Sequence, residues 1–157
     1  MYEVDYSERE SILVEEAMTT DLVTCPVEES LQAGVERMIR NRVGSVIVHE
    51  EKTPVGIVTE TDSLYAGCVT ERPFTEIPVR KVMSNPLNTI TPKKTLRRAT
   101  ERMHEEGIKK LVVVEDMDLV GIITTQDIIE AYHDLKAEIR NLVHPQQPRS
   151  LDTAQTW

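Results

Sequence analysis

The chain has 157 residues, of which 39% are hydrophobic but only 4% aromatic, and a formal net charge of −9. This length suffices for one compact domain or two small intertwined ones, with a core drawn from Val, Ile, Leu and Met. The charge disfavours nonspecific attraction to nucleic acid or an anionic membrane. No apolar run approaches the roughly 20 residues of a membrane span, and the acidic start MYEVDYSERE lacks a signal core, so the expectation is a cytoplasmic protein.

In chain order, residues 1–11 read as an extension. A short polar helix around Val14–Met18 leads to a brief extended stretch, Leu22–Cys25, and Pro26 marks an irregular approach to the next helix. Leu31, Val35, Met38 and Ile39 recur at helical spacing, with Ser30 placed to cap the first N–H groups. The β-branched run Ser45-Val46-Ile47-Val48 predicts a buried strand, Glu51-Lys52-Thr53 a turn, and Val55-Gly56-Ile57-Val58-Thr59 a second strand. A closing helix begins near Asp62. Residues Ala66–Pro78 form a connection in which Pro73 and Pro78 discourage helix, with 71–78 as the linker between units spanning 12–70 and 79–134.

The second unit restates the first. Thr95 stands at a cap, Leu96, Thr100 and Met103 follow at helical spacing, and Leu111-Val112-Val113-Val114 predicts a strand. Asp116-Met117-Asp118 forms a turn, Val120-Gly121-Ile122-Ile123-Thr124 a second strand, and a helix begins near Asp127. Val14–Tyr65 aligns with Val79–Glu130 without a gap at an offset of 65, with 15 of 52 positions identical, where chance gives roughly three. Two copies of a β-α-β-β-α unit favour an α/β (α+β) fold in which the repeats pack as a pseudo-twofold pair rather than a solenoid. Beyond Tyr132, the pattern Leu135, Ile139, Leu142, Val143 continues the last helix outward. Its apolar stripe either packs on its own domain or presents a dimer or partner surface. Residues 135–157 end in a polar segment, His144–Trp157, expected to be a mobile tail.

Chemistry concentrates in two places. Each second strand ends in a Thr-x-x-Asp step, Thr59–Asp62 and Thr124–Asp127, with a glycine inside the strand that lets a ligand or another segment approach the backbone. The hydroxyl and carboxylate either cap the helix or, as acidic residues do in dinucleotide sites, accept hydrogen bonds from a ribose diol. Residues 1–78 hold 6 Lys+Arg against 16 Asp+Glu, and residues 79–157 hold 12 against 11, so an anionic ligand meets its counter-charges in the second half. The histidines His49, His104, His133 and His144 lack metal-ligand spacing, and Cys25 and Cys68 form no CxxC, which reads as two reduced thiols. No nucleophile–base pair or phosphate-cradling Gly-rich loop is present, so no enzyme is expected.

The duplicated unit, the strand Val-Gly-Ile-Val/Ile-Thr and the closing Thr-x-x-Asp resemble the cystathionine-β-synthase (CBS) domain family, over roughly residues 12–134. The resemblance implies two clefts that accept AMP, ADP, ATP or S-adenosylmethionine as regulatory ligands. It implies a main cleft of Ile57, Thr59, Thr61 and Asp62 with Pro86, Leu87, Asn88, Lys109 and Lys110 from the other unit, the lysines contacting phosphate. It implies a weaker second cleft of Ile122, Thr124 and Asp127 with Asp21, Leu22, Val23, Gly44 and Ser45, where Gly44 and Ser45 replace the basic pair and leave no cation. It also implies a homodimer with contacts near Tyr65 and Tyr132, and an output through an effector protein or through self-association. A ligand-independent interaction scaffold is the alternative.

Overall fold

The computed structural model describes residues 11–143; the expected tail and most of the N-terminal extension lie outside them. The elements run α1 (Val14–Ala17), β1 (Thr24–Pro26), α2 (Leu31–Asn41), β2 (Ser45–Glu50), β3 (Thr53–Thr59) and α3 (Glu60–Thr70). A 3-10 turn (Phe74–Glu76) leads into the second repeat: α4 (Val79–Val82), β4 (Thr89–Ile90), α5 (Leu96–Glu106), β5 (Lys110–Glu115), β6 (Asp118–Thr124) and α6 (Thr125–Val143). This is the expected mixed α/β architecture of two similar units.

Each unit holds a three-stranded sheet with β2 or β5 at its centre, parallel to the short first strand and antiparallel to the last. The first strand is brief because Pro26 ends it in the first repeat and Pro92 lies just beyond it in the second, and Pro26 is tolerated only because β1 is an edge. Val46, Ile47 and Val48 are all buried, as are Leu111, Val112 and Val113, since both faces of the central strands are covered. Val46 and Val48 pack on Leu31 and Met38 of α2, and Leu111 and Val113 on Leu96, Ala99 and Met103 of α5. Ser30 and Thr95 cap their helices as expected, accepting from the N–H groups of Ala33 and Arg98 at 3.3 and 3.2 Å.

The short leading helices are exchanged between the repeats. Val14 of α1 is buried in the core of the second unit, and Val79 of α4 with Ile77 in the core of the first. Backbone bridges fix the exchange: Leu13 pairs with Thr95 and Thr19 with Ile122, while Ser30 pairs with Pro78 and Ile57 with Ser84. The strand glycines make room for it. A Cβ on Gly56 would lie 2.6 Å from Met83 Sδ, and one on Gly121 2.7 Å from Met18 Sδ. The close approach expected at these glycines is therefore by the other repeat's leading segment.

Several expectations need correction. Ile39 is 72% exposed, so the buried stripe of α2 is Leu31, Gly34 and Met38. Thr100 is exposed and Ala99 takes its place in the core. Ala66–Pro78 is not a helix-free connection: α3 runs to Thr70 with Ala66 buried, because Pro73 stops helix only after three further residues, and Phe74 folds back over Gly67. The closing helices start at Glu60 and Thr125, two residues before the aspartates, which therefore sit in the first turn. The first strand is Thr24–Pro26, shifted from Leu22–Cys25. At the far end, α6 does extend to Val143, and Ile139, Leu142 and Val143 are exposed.

Candidate functional site

Both Thr-x-x-Asp steps are reciprocal caps. The Thr59 N–H donates to Asp62 Oδ2 at 2.8 Å and the Asp62 N–H donates to Thr59 Oγ1 at 3.2 Å. Thr124 and Asp127 repeat the pair at 2.8 and 3.2 Å, and the Thr124 hydroxyl adds a bond to Asp127 Oδ2 at 2.9 Å. The cap uses one carboxylate oxygen of each aspartate. Among the described residues no donor reaches Asp62 Oδ1, whereas Asp127 Oδ1 faces the Thr19 hydroxyl at 3.4 Å. Capping and ligand binding are thus compatible at Asp62, and one acceptor there stays open.

Asp62 opens onto a cavity of about 440 Å³ between the two repeats. Ile57, Thr59, Thr61 and Asp62 line it from β3 and α3, and Pro86, Leu87, Asn88, Lys109 and Lys110 from the other repeat. All nine residues expected together in the main cleft are therefore brought to one cavity. Gly44, Glu60, Ser84, Gly107, Ile108 and Val112 complete its wall. The exchange of α4 is what delivers the Pro86–Asn88 segment, because the Ser84–Ile57 bridge ties it to β3 just before it turns into the cleft. Lys109 is exposed at the mouth, whereas Lys110 is half-buried at the start of β5. Burial pulls the Lys110 ammonium below its usual range, and Glu60, Asp62 and Asp127 oppose that shift.

The second cleft, about 340 Å³, gathers all eight of its expected residues: Asp21, Leu22, Val23, Gly44, Ser45, Ile122, Thr124 and Asp127. The expectation that it holds no cation is wrong. Lys110 lines this cleft as well as the main one, and Arg42 lines it too. Lys110 is shared because it lies beside the pseudo-twofold axis: a Cβ on Gly44 would sit 3.4 Å from its Nζ and 3.6 Å from Glu60 Oε2. The 65-residue offset matches Gly44 with Lys109 and Ser45 with Lys110, and so assigns each lysine to one cleft only. Nothing in a linear alignment shows that a long side chain at the axis faces both. Two cations and two carboxylates line each cleft, so charge count alone does not separate them. The open Asp62 oxygen and the larger volume do.

His104, close to Lys109 in sequence, does not line either cleft. It lines a neighbouring groove with Met103, Ile108, Ile128 and Ile129. Among the described residues no helix is long and apolar enough to cross a membrane.

The family description that matches is "CBS domain", at residues 14–62 and again at 79–134. An uncharacterized protein of Methanopyrus kandleri is 32% identical over 82% of this chain and 67% of its own length. A mitochondrial CBS domain-containing protein of Arabidopsis thaliana is 27% identical over 75% of the chain and 60% of its own length. The chain thus spans about two thirds or less of these relatives. Among solved structures, an uncharacterized conserved protein from Pyrococcus horikoshii superposes with a TM-score of 0.72 at 28% identity, covering 78% of this chain and 92% of that one. The CBS domain pair of protein MJ0100, solved with 5′-methylthioadenosine and S-adenosyl-L-methionine, superposes with a TM-score of 0.73 over 80% of this chain and 99% of that one. At 20% identity that likeness concerns the fold.

Proposed function

Because the chain belongs to the CBS domain family and carries the domain twice, as regulatory modules do, we propose that it is a sensor that holds an adenine nucleotide or S-adenosylmethionine in the Asp62 cleft. The observation that carries this reading is the convergence of Asp62 from one repeat with Lys109 and Lys110 from the other on one cavity. Its volume falls within the range of small-molecule sites. In this reading the open Oδ1 of Asp62 accepts from the ribose hydroxyls while Oδ2 stays on its cap. Ile57, Leu87 and Val112 offer apolar surface to the base, and the two ammonium groups take the phosphate. A charge-assisted hydrogen bond contributes about 1.5–3 kcal/mol, so two of them favour a phosphorylated ligand over a neutral nucleoside. The Asp127 cleft is the weaker site in this proposal, since its carboxylate is already engaged on both oxygens.

The ligand bridges both repeats, so its binding stabilises one arrangement of the pair, and the signal passes to a separate protein or to the protein's own oligomer. Exposed Leu64, Tyr65 and Val69 on α3 and Ile129 and Tyr132 on α6 are the surface proposed for a homodimer. The role is regulatory rather than catalytic, and measurable nucleotide turnover would contradict it.

A second reading, a ligand-independent scaffold, draws on the finding that both Thr-x-x-Asp steps already serve as caps. A thermal-shift screen with AMP, ADP, ATP and S-adenosylmethionine separates the two. A ligand that binds only the folded state raises its melting temperature, on the order of 5–10 °C at a hundredfold excess over Kd. No shift with any of the four compounds supports the scaffold.

A further inference from the structure

The two repeats differ at the outer end of their sheets, where the first strand meets the long helix. In the first repeat, Arg37 of α2 donates from Nη1 to Glu29 Oε2 and from Nη2 to Glu29 Oε1, the latter at 3.0 Å. This two-pronged pair neutralises both groups. The 65-residue offset places Lys94 where Glu29 stands, Arg98 where Ala33 stands, and Arg102 where Arg37 stands. The carboxylate has been replaced by a cation and a further cation has been added.

The consequence is a cavity of about 470 Å³ lined by Lys94, Arg98 and Arg102, with the Thr89 and Thr91 hydroxyls among its walls. Asp116 is the one carboxylate lining it. Arg98 also contacts Glu101 and Glu105 at 3.3 and 3.7 Å, but neither Lys94 nor Arg102 forms an ion pair with a described carboxylate. Arg98 and Arg102 stand four residues apart on one face of α5, and Lys94, just before the helix cap Thr95, lines the same cavity, so like charges repel there. An anion in the cavity relieves that repulsion. Arginine forks with hydroxyl donors suit the oxygens of a phosphate group, and Lys94 and Arg102, the two lining cations that form no ion pair with a described carboxylate, suit a charge of two.

We propose that the cavity of Lys94, Arg98 and Arg102 is an anion site for a compact phosphate-class polyanion, separate from both clefts of the pseudo-twofold. The site does not depend on the adenosine reading, since no residue lines both this cavity and the Asp62 cleft.

The test is isothermal titration with inorganic pyrophosphate at fixed ionic strength, using the full chain with Lys109→Ala and Lys110→Ala so that the main cleft lacks its lysines. Saturable binding at one site per chain is expected. Adding Lys94→Glu rebuilds the Glu29–Arg37 arrangement in the second repeat and is expected to weaken binding roughly tenfold or more without lowering the melting temperature. Arg102→Gln, which adds no new ion pair, is expected to weaken it as well. In otherwise wild-type protein, Lys94→Glu is expected to leave the nucleotide-induced thermal shift intact. Absence of saturable heat in the parent, or equal affinity after Lys94→Glu, overturns the proposal.

Discussion

Replacing Gly56 by Ala tests the exchange of leading helices that builds both clefts. In an unobstructed strand the change stabilises by about 0.5–1 kcal/mol, because glycine loses more backbone freedom on folding. Here the added Cβ lands 2.6 Å from Met83 Sδ, 2.8 Å from its Cγ and 2.9 Å from its Cβ. The sulfur can swing aside, but Met83 Cβ is fixed by the backbone. The Met83 N–H donates to Val79 O at 3.0 Å, and the next residue bridges β3 through Ser84 N–H to Ile57 O at 2.9 Å. Relief therefore requires α4 to shift from β3 and strain that bridge. Overpacking of this kind costs about 1–3 kcal/mol, and the upper half of that range is expected from urea denaturation. Met83→Ala removes Cγ and Sδ but keeps Cβ, so it relieves part of the clash. The double variant is expected to be more stable than the sum of the singles by about 1 kcal/mol. A Gly56→Ala protein as stable as wild type, or strictly additive variants, would refute the exchanged packing.

Other predictions follow from single groups. Burial pushes the Cys25 thiol up to about 11, with the Glu29 carboxylate adding to the rise and Arg37 opposing it. At pH 8 about one thousandth of it is thiolate, so iodoacetamide should label native protein once, at exposed Cys68, and twice in urea, as read by mass spectrometry. The Arg37 hydrogen bond holds the Glu29 carboxyl below its usual 4.5. That stabilisation is present above pH 4.5 and is lost as the pH falls through the lowered native value. Glu29→Gln should therefore cost about 0.5–1 kcal/mol at pH 7 and progressively less below pH 4.5, measured by denaturation across pH. Glu71 ends α3 in the left-handed region at φ 54°, where a side chain is strained, and Glu71→Gly should raise stability by about 0.5–1 kcal/mol in the same assay. Lys110→Met should weaken ligands in both clefts, whereas Lys109→Ala should weaken only those in the Asp62 cleft, as followed by titration.

Much of this architecture was legible because each repeat is locally consistent. The β-branched runs around Val46 and Val112, the capping hydroxyls Ser30 and Thr95, and the constant offset of 65 all carry local or periodic information. The exchange of α1 and α4 carries none. Four-residue helices such as Val14–Ala17 look the same whichever sheet they pack on, and the hint lay only in the strand glycines Gly56 and Gly121. The second-cleft cations were missed for a related reason. Pairing positions by offset treats the repeats as equivalent, whereas Lys110 sits beside the axis with no basic counterpart at Ser45, and Arg42 reaches the cleft from the left-handed end of α2. Ile39 fits a helical spacing yet faces solvent, since spacing defines a stripe but not its width.

The most direct measurement is a crystal structure of the protein grown with ADP. Density is expected in the cavity between the repeats, with the ribose diol on Asp62 Oδ1 and the phosphates beside Lys109 and Lys110. An empty Asp62 cavity at saturating ADP, or a nucleotide seated away from those three side chains, would contradict it.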